Sequence, residues 1–192
     1  MIAILKYNAG NTRSVKNALD RLGYESIITD DATELRNAAK VIFPGVGEAS
    51  TAMHYLRERK LDKLLVSLTQ PVLGICLGLQ LMCTHTEESD TACLGIFDCE
   101  VKRFLPPAIV PHMGWNTFTR FQGKLFDHLQ VEQDVYYVHS YYAVLCKDTI
   151  ASCSYGIPFS AALRKSNFYA TQFHPEKSSE IGAQIIKNFL AL

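Results

Sequence analysis

The sequence lacks both a charge excess and a long hydrophobic run. Its 19 Lys and Arg residues balance its 19 Asp and Glu residues. A balanced charge offers nucleic acid no basic surface, so we do not expect a nucleic-acid partner. No stretch approaches the roughly 20 apolar residues of a membrane-spanning helix. The N-terminus also lacks the basic flank, apolar run and small-residue cleavage site of a signal peptide, which predicts a cytosolic protein.

Closely spaced cysteine pairs are also absent. None of the six cysteines is separated from another by only two residues. Structural zinc sites usually use such pairs, so no metal site is predicted. Disulfides are not expected in a reducing compartment. Most of these thiols are therefore predicted to be small buried core groups. Cys76 is the exception, because its neighbours indicate chemistry.

Repeats, low-complexity runs and linkers are absent as well. The 192 residues, 48% of them apolar, predict one domain over 1–192 with a sizeable core. In the first half, apolar strands alternate with helical patterns, which is typical of a parallel sheet covered on both faces. The second half is richer in β-type segments. The predicted fold class is α/β, with a mostly parallel central sheet flanked by helices and some antiparallel strands in the second half.

The individual elements follow from apolar periodicity and from glycine and proline positions. Strands are predicted at 1–7, 26–29, 40–43 and 72–75. Helices are predicted at about 15–22, 32–39, 49–68, 77–83 and 181–190. Four further segments have β-type patterns, at 96–104, 109–119, 135–144 and 167–173.

The segment Gly74-Ile75-Cys76-Leu77-Gly78 lies where a strand is predicted to turn into a helix. A nucleophile elbow needs this arrangement, because small flanking residues permit a tight turn that exposes one side chain. The helix N-terminus lowers the pKa of a cysteine thiol, and the thiolate is a strong nucleophile. Cys76 is therefore the candidate nucleophile. The alternative is a buried cysteine in an ordinary strand–helix turn.

His174 and Glu176 follow the last predicted strand and are separated by Pro175. Residues two apart in an extended segment project to the same side, so the carboxylate is predicted to lie beside the imidazole. Such a carboxylate holds the tautomer of the imidazole and stabilises the imidazolium. His174 is the candidate base and Glu176 its orienting partner. The alternative is a surface turn with an incidental ion pair.

The run Pro44-Gly45-Val46-Gly47 ends a strand predicted to lie parallel to the elbow strand. Parallel strands end at one edge of a sheet, where α/β enzymes place their sites. The backbone N–H groups of Gly47 and Leu77 are therefore the predicted donors of an oxyanion hole. Glycine also permits a peptide flip, so this loop is a candidate switch. A plain strand–helix turn is the alternative.

These three segments together resemble the class I, triad-type glutamine amidotransferases along essentially the whole chain. The resemblance implies a flavodoxin-like fold and glutamine hydrolysis by Cys76, His174 and Glu176 without a cofactor. That family has Pro-Gly-Gly in its oxyanion segment, whereas Val46 here separates two glycines. Whether the oxyanion hole is preformed is therefore open at this stage.

A fourth segment, Pro111-His112-Met113-Gly114-Trp115-Asn116, resembles the glutaminase subunits of imidazole glycerol phosphate synthases. Such subunits feed ammonia to a (β/α)₈-barrel cyclase subunit within a heterodimer of histidine biosynthesis. The resemblance implies that substrate is bound by Gln80, Glu88, His139, Ser140 and Tyr141. It implies a partner-facing set of Trp115, Asn116, Tyr136 and Lys177. No cyclase sequence follows Leu192, so we expect the acceptor chemistry on another chain and weak activity without it.

Several alternatives accompany these assignments. The substrate contact assigned to Glu88 shifts to Glu87 if the alignment slips by one residue, and Trp115 is a core residue in the simplest interpretation. One of Tyr136 and Tyr137 is expected to pack inward, because neighbours on a strand alternate faces. The alternative functions are a glutaminase for another synthase, such as one for pyridoxal phosphate, anthranilate or guanylate, a stand-alone γ-glutamyl hydrolase, and a non-catalytic binding module.

Overall fold

The computed structural model describes all 192 residues. Its strands are β1 (Ile2–Leu5), β2 (Ser26–Thr29), β3 (Lys40–Gly45), β4 (Val72–Cys76), β5 (His85–Thr86), β6 (Thr91–Ala92), β7 (Glu100–Arg103), β8 (His112–Thr117), β9 (Arg120–Phe121), β10 (Asp134–His139), β11 (Tyr141–Ala143), β12 (Thr149–Tyr155), β13 (Ile157–Lys165) and β14 (Phe168–Thr171). Its helices are α1 (Thr12–Arg21), α2 (Ala32–Asn37), α3 (Ala49–Glu58), α4 (Leu61–Ser67), α5 (Leu77–Met82) and α6 (Ser179–Leu190). Short 3₁₀ turns lie at Glu88–Asp90, Lys124–Phe126 and Pro175–Lys177.

The central sheet has eight strands in the order β2-β1-β3-β4-β14-β13-β12-β9. The first five are mutually parallel, and the last three add antiparallel pairs. Gly45, Cys76 and Thr171 end three adjacent parallel strands, so the loops that follow them meet at one edge of the sheet. The predicted α/β fold class is confirmed.

Two smaller sheets extend the second half of the chain. Strands β8 and β10 form an antiparallel ribbon, and β11, β7, β5 and β6 form a four-stranded sheet. The predicted β-type segment over 135–144 is confirmed and contains two strands, because the chain leaves the ribbon after His139 and enters the other sheet at Tyr141. Pairing with different partners, which local pattern does not reveal, divides the segment at Ser140.

Two predicted elements need correction, and one pair of strands was missed. The helix over 49–68 is two helices, because Lys60 adopts a left-handed backbone with φ 58°. Strand β3 continues through Pro44 to Gly45, since Gly45 still pairs with Cys76 across the sheet. The sequence pattern did not indicate the β12–β13 hairpin, which is the longest antiparallel pair in the molecule.

The core is divided between the two faces of the sheet. Ala3 and Leu5 belong to a cluster of 30 buried residues, whereas Ile2 and Ile4 belong to a cluster of 26. This alternation follows from the two-residue period of a strand and explains why β1 is apolar throughout. None of the helices combines the length and apolarity needed to traverse a bilayer.

All six cysteines are free thiols. Four are buried, and the other two, Cys93 and Cys146, are half-buried, which agrees with the predicted core role for most of them. Burial raises the pKa of Cys93 to about 12 and the pKa of Cys153 to about 11, so both remain protonated at neutral pH.

Candidate active site

Cys76 occupies a strained turn between β4 and α5. Its backbone has φ 53° and ψ −105°, outside the ordinary regions for a residue with a side chain. The turn fits because Gly78 follows closely: a Cβ on Gly78 would lie 2.0 Å from the carbonyl oxygen of Phe43. A Cβ on Gly74 would lie 2.9 Å from the sulfur of Met82. The glycines flanking Cys76 thus let helix α5 pack directly on β3 and β4.

The candidate base, His174, lies beside this elbow and is hydrogen-bonded to the carboxylate of Glu176. His174 Nδ1 is 2.8 Å from Glu176 Oε1, and both side chains are 1% exposed. The Nε2 atom of His174 has no hydrogen-bond partner within the protein. Burial lowers the pKa of His174, but the neighbouring Cys76 thiolate and the Glu176 carboxylate outweigh burial and raise it. The Glu176 carboxylate is therefore placed to stabilise an imidazolium on His174.

The prediction that an extended segment sets His174 beside Glu176 is wrong in detail. The backbone of His174 is extended, but Pro175 starts a 3₁₀ turn that runs to Lys177. The turn, rather than strand alternation, returns the carboxylate to the imidazole. Two bonds attach this segment to β10: His174 N–H donates to Tyr136 O at 2.9 Å, and Tyr136 N–H donates to Ser178 Oγ at 2.9 Å.

The loop after β3 presents one free N–H group to the site. Gly47 has φ 123°, which only glycine adopts readily, and its N–H has no hydrogen-bond partner in the protein. The N–H of Val46 points away and donates to Ala9 O at 2.6 Å. Tyr7 holds the start of this loop, because its hydroxyl donates to Pro44 O at 2.7 Å.

Most of the residues predicted to form the site line one cavity of about 270 Å³. It is lined by the nucleophile Cys76, by the predicted oxyanion donors Gly47 and Leu77, and by all five predicted substrate contacts: Gln80, Glu88, His139, Ser140 and Tyr141. His174 and Glu176 do not line the cavity. His174 interacts through its charge with Cys76, which does.

Glu88, rather than Glu87, faces the cavity. Its Oε2 accepts from Ala49 N–H at 2.9 Å, whereas Glu87 bonds Arg103 N–H outside the site. Burial raises the pKa of Glu88, the Ala49 N–H lowers it, and the charge of Glu48 raises it further. A carboxylate at the cavity wall is suited to the ammonium group of an amino acid.

Sequence reasoning missed some residues around the site. Gln172 Nε2 donates to Cys76 Sγ at 3.7 Å, and Val138 O lies 3.8 Å from the same sulfur. The cavity lining also includes Val46 and Pro111. Gln172 lies two residues before His174, so its position next to the base was the available signal. The contact of Val138 depends on the β8–β10 ribbon, which sequence alone did not place.

Two of the residues predicted to face a partner form an aromatic pair, in which Trp115 is exposed and Tyr136 is half-buried. Trp115 is 54% exposed, so its alternative core interpretation is wrong. It pairs with Tyr136 across the ribbon, with ring centroids 5.8 Å apart. Tyr137 points inward and is fully buried, as strand alternation predicted. Lys177 is exposed on the 3₁₀ turn of the base, and Asn116 is half-buried.

Comparison with known proteins identifies the family. Residues 3–192 match the glutamine amidotransferase class-I family. The chain belongs to this family. It is 56% identical to the imidazole glycerol phosphate synthase subunit HisH of Bacteroides thetaiotaomicron over 100% of this chain and 99% of the relative. It is 45% identical to the subunit of the same name from Yersinia pseudotuberculosis, with the same coverage of both chains.

Solved structures show the same fold at low sequence identity. A crystal structure of a glutamine amidotransferase superposes with a TM-score of 0.78 at 19% identity and covers 99% of this chain and 97% of that chain. The structure of PurLQS from Thermotoga maritima gives a TM-score of 0.75 at 16% identity, with the same coverage of both chains. The family match and the HisH relatives confirm the resemblance drawn from the motifs, and the solved structures confirm the fold.

Proposed function

We propose that this glutamine amidotransferase is the glutaminase subunit of an imidazole glycerol phosphate synthase. It hydrolyses glutamine to glutamate and passes the ammonia to a (β/α)₈-barrel cyclase subunit in the cytosol. Residues 1–192 act as one domain in this heterodimer. The observation that carries the proposal is that the Cys76 elbow and the His174–Glu176 pair lie at the ends of the adjacent parallel strands β4 and β14, beside one cavity.

The proposed chemistry follows the charges of the site. The Cys76 thiolate attacks the side-chain amide carbon of glutamine, and the N–H groups of Gly47 and Leu77 stabilise the resulting oxyanion. His174 gives its proton to the nitrogen as the C–N bond breaks, which releases ammonia and leaves a thioester. His174, held by Glu176, then takes a proton from water. The hydroxide attacks the thioester and regenerates the thiolate with release of glutamate.

The aromatic pair of Trp115 and Tyr136 supports a docked partner. Trp115 and Tyr136 present a large aromatic surface, and such residues are enriched where proteins bind one another. The backbone of Tyr136 is hydrogen-bonded to the segment that carries His174. A partner that contacts Tyr136 therefore acts on the segment of His174 through these hydrogen bonds, which supports the expectation of activation on docking.

Glutamate release from glutamine by the purified chain tests this function. The assay compares the chain alone, the chain with the cyclase subunit plus its nucleotide ligand, and a Cys76→Ala variant in the same complex. We expect strong release only with the partner, and a loss of at least about 10⁴-fold in the variant, because nucleophile removal disables the triad as a unit.

Other outcomes separate the alternative functions. Release that is the same without the cyclase would contradict the proposed partner and favour another synthase. Partner-independent cleavage of γ-glutamyl peptides would favour a stand-alone hydrolase. A matched Cys83→Ala variant removes a buried thiol outside the cavity and controls for general effects of losing a cysteine.

A further inference from the structure

Two buried histidines, His112 and His139, lie opposite each other in the β8–β10 ribbon. Their side chains are 4% and 5% exposed, and the antiparallel register pairs them directly. His139 lines the cavity, whereas His112 lies behind it and has no part in the proposed chemistry. The two rings are joined by a hydrogen bond of 2.9 Å between His112 Nδ1 and His139 Nε2.

The neighbours of the pair determine which nitrogen carries each proton. His139 Nδ1 lies 2.7 Å from the carbonyl oxygen of Tyr141, which only accepts, so Nδ1 carries the proton and Nε2 is bare. The proton between the rings must then belong to His112 Nδ1. That leaves His112 Nε2 bare, and Asn116 Nδ2 lies 3.3 Å from it as a donor. The Asn116 amide is itself fixed, because its Oδ1 accepts from Thr117 N–H at 2.9 Å.

Both rings are held neutral. Burial lowers the pKa of His139 to about 3 and the pKa of His112 to about 4. The side chains packed around them are Phe104, Tyr137, Tyr155 and Phe159, with His174 as the charged group that faces His139. No carboxylate is among the groups that shift the pKa of either ring. A second proton on His139 would also set two N–H groups against each other across 2.9 Å, and one on His112 would oppose the Asn116 amide N–H across 3.3 Å.

The chain of bonds continues on the other side to the nucleophile. The carbonyl of Tyr141 also accepts from Gln80 Nε2 at 2.9 Å. Gln80 Nε2 lies 3.2 Å from Gln172 Oε1, and Gln172 Nε2 lies 3.7 Å from Cys76 Sγ. Hydrogen bonds therefore hold the backbone from His139 to Tyr141 on two sides, through the histidine pair on one side and through the groups around the nucleophile on the other.

We propose that His112 is a positioning residue, whose Nδ1–H donates to His139 Nε2, holds that ring where its Nδ1–H reaches Tyr141 O, and thereby fixes the His139–Tyr141 wall of the glutamine pocket. The inference rests on the proposed function, since it assigns glutamine to this cavity. Through Asn116 the same bonds join the pocket wall to the strand that carries Trp115, on the proposed docking face.

The expected effect follows from the buried acceptor. Without the His112 donor, His139 Nε2 is a buried acceptor without a partner, and the ring gains by turning toward another donor or toward water. Turning weakens the bond that His139 Nδ1–H donates to the Tyr141 carbonyl, which is one of the two supports of the wall. Because the wall contacts substrate rather than the reacting atoms, we expect KM for glutamine to change more than kcat.

Three variants in complex with the cyclase subunit test this role by steady-state glutamate release. His112→Phe keeps an aromatic ring without a donor, and we expect its KM to rise about tenfold. His112→Asn supplies an amide N–H near the position of Nδ1, and we expect KM within about threefold of wild type. His54→Asn, on the exposed face of α3, is the matched control and leaves KM unchanged. A wild-type KM in His112→Phe overturns the inference.

Nitrogen NMR of the ¹⁵N-histidine-labelled chain gives a readout that does not depend on activity or on the variants folding. We expect both His112 and His139 as Nδ1–H tautomers, neither of them titrating across the neutral range. An Nε2–H tautomer at either ring overturns the inference. Absence of glutamate release from the wild-type complex would instead overturn the proposed function, which separates the two failures.

Discussion

The ends of the parallel strands and the antiparallel part of the molecule contribute different things. The parallel strands β3, β4 and β14 lead into Gly47, Cys76 and His174, the groups proposed to do the chemistry. The antiparallel ribbon contributes to the wall of the cavity and carries the aromatic pair of Trp115 and Tyr136. Groups that must meet reacting atoms thus lie on tight local turns, whereas recognition surfaces depend on pairing between distant segments.

Glu176→Gln tests how much the parallel side depends on charge. We expect kcat for glutamate release by the complex to fall about 10²- to 10⁴-fold, because an amide does not stabilise the imidazolium of His174. Glu180→Gln removes an exposed carboxylate from the first turn of α6 and is expected to change nothing. A change of less than about threefold in Glu176→Gln would mean that the pair is structural.

Gly78→Ala tests the packing that shapes the elbow. The added methyl would lie 2.0 Å from the carbonyl oxygen of Phe43, so α5 must move off β3. We expect the free energy of unfolding in urea to fall by about 3 kcal/mol or more. Lys187→Ala on the exposed side of α6 is the control and should stay within about 0.5 kcal/mol. Wild-type stability in Gly78→Ala would show that the elbow tolerates a wider turn.

Trp115→Ala tests whether the antiparallel ribbon serves docking. We expect the Kd for the cyclase subunit to rise about 30-fold, as for an aromatic residue that contributes about 2 kcal/mol to an interface. Because the side chain is 54% exposed, the stability of the isolated chain should not change. Calorimetric titration measures the Kd, with Tyr24→Ala, an exposed aromatic next to α1, as the control. An unchanged Kd would place the docking surface elsewhere.

The pH dependence of stability gives the smallest expected difference between the antiparallel ribbon and the parallel strands. The pKa values of His112 and His139, about 4 and about 3, lie below the value of about 6.5 for an unfolded histidine, so the unfolded chain binds more protons between these limits. Their contribution to stability is therefore complete above pH 6.5 and is lost as the pH falls. His112→Phe should reduce the slope of unfolding free energy between about pH 6 and 5 by up to about 1.4 kcal/mol per pH unit.

Urea unfolding at several pH values measures this slope. His54→Asn, which removes an exposed histidine, is expected to keep the wild-type slope. An equal slope in wild type and His112→Phe would show that His112 is protonated in the folded chain.

Sequence patterns predicted the first half of the fold better than the second. Elements from β1 to α5 were predicted within a few residues, apart from the break at Lys60, because each strand and helix there is a separate apolar run. The β12–β13 hairpin was not predicted, since its buried positions make sense only against β14 and β9 on either side. In this region, whether a segment forms a strand depends on the strands that pair with it.

The candidate site divides in the same way. Cys76, His174 and Glu176 were found because glycine, proline and residue spacing encode a turn locally. The sequence by itself determined which side chains are the candidates for the chemistry and that their strands end at one edge. Only the tertiary structure decided that Gln172 contacts the sulfur, that Glu88 faces the cavity and that His112 meets His139. These contacts join residues up to 96 positions apart, and only the pairing of distant strands brings them within hydrogen-bond reach.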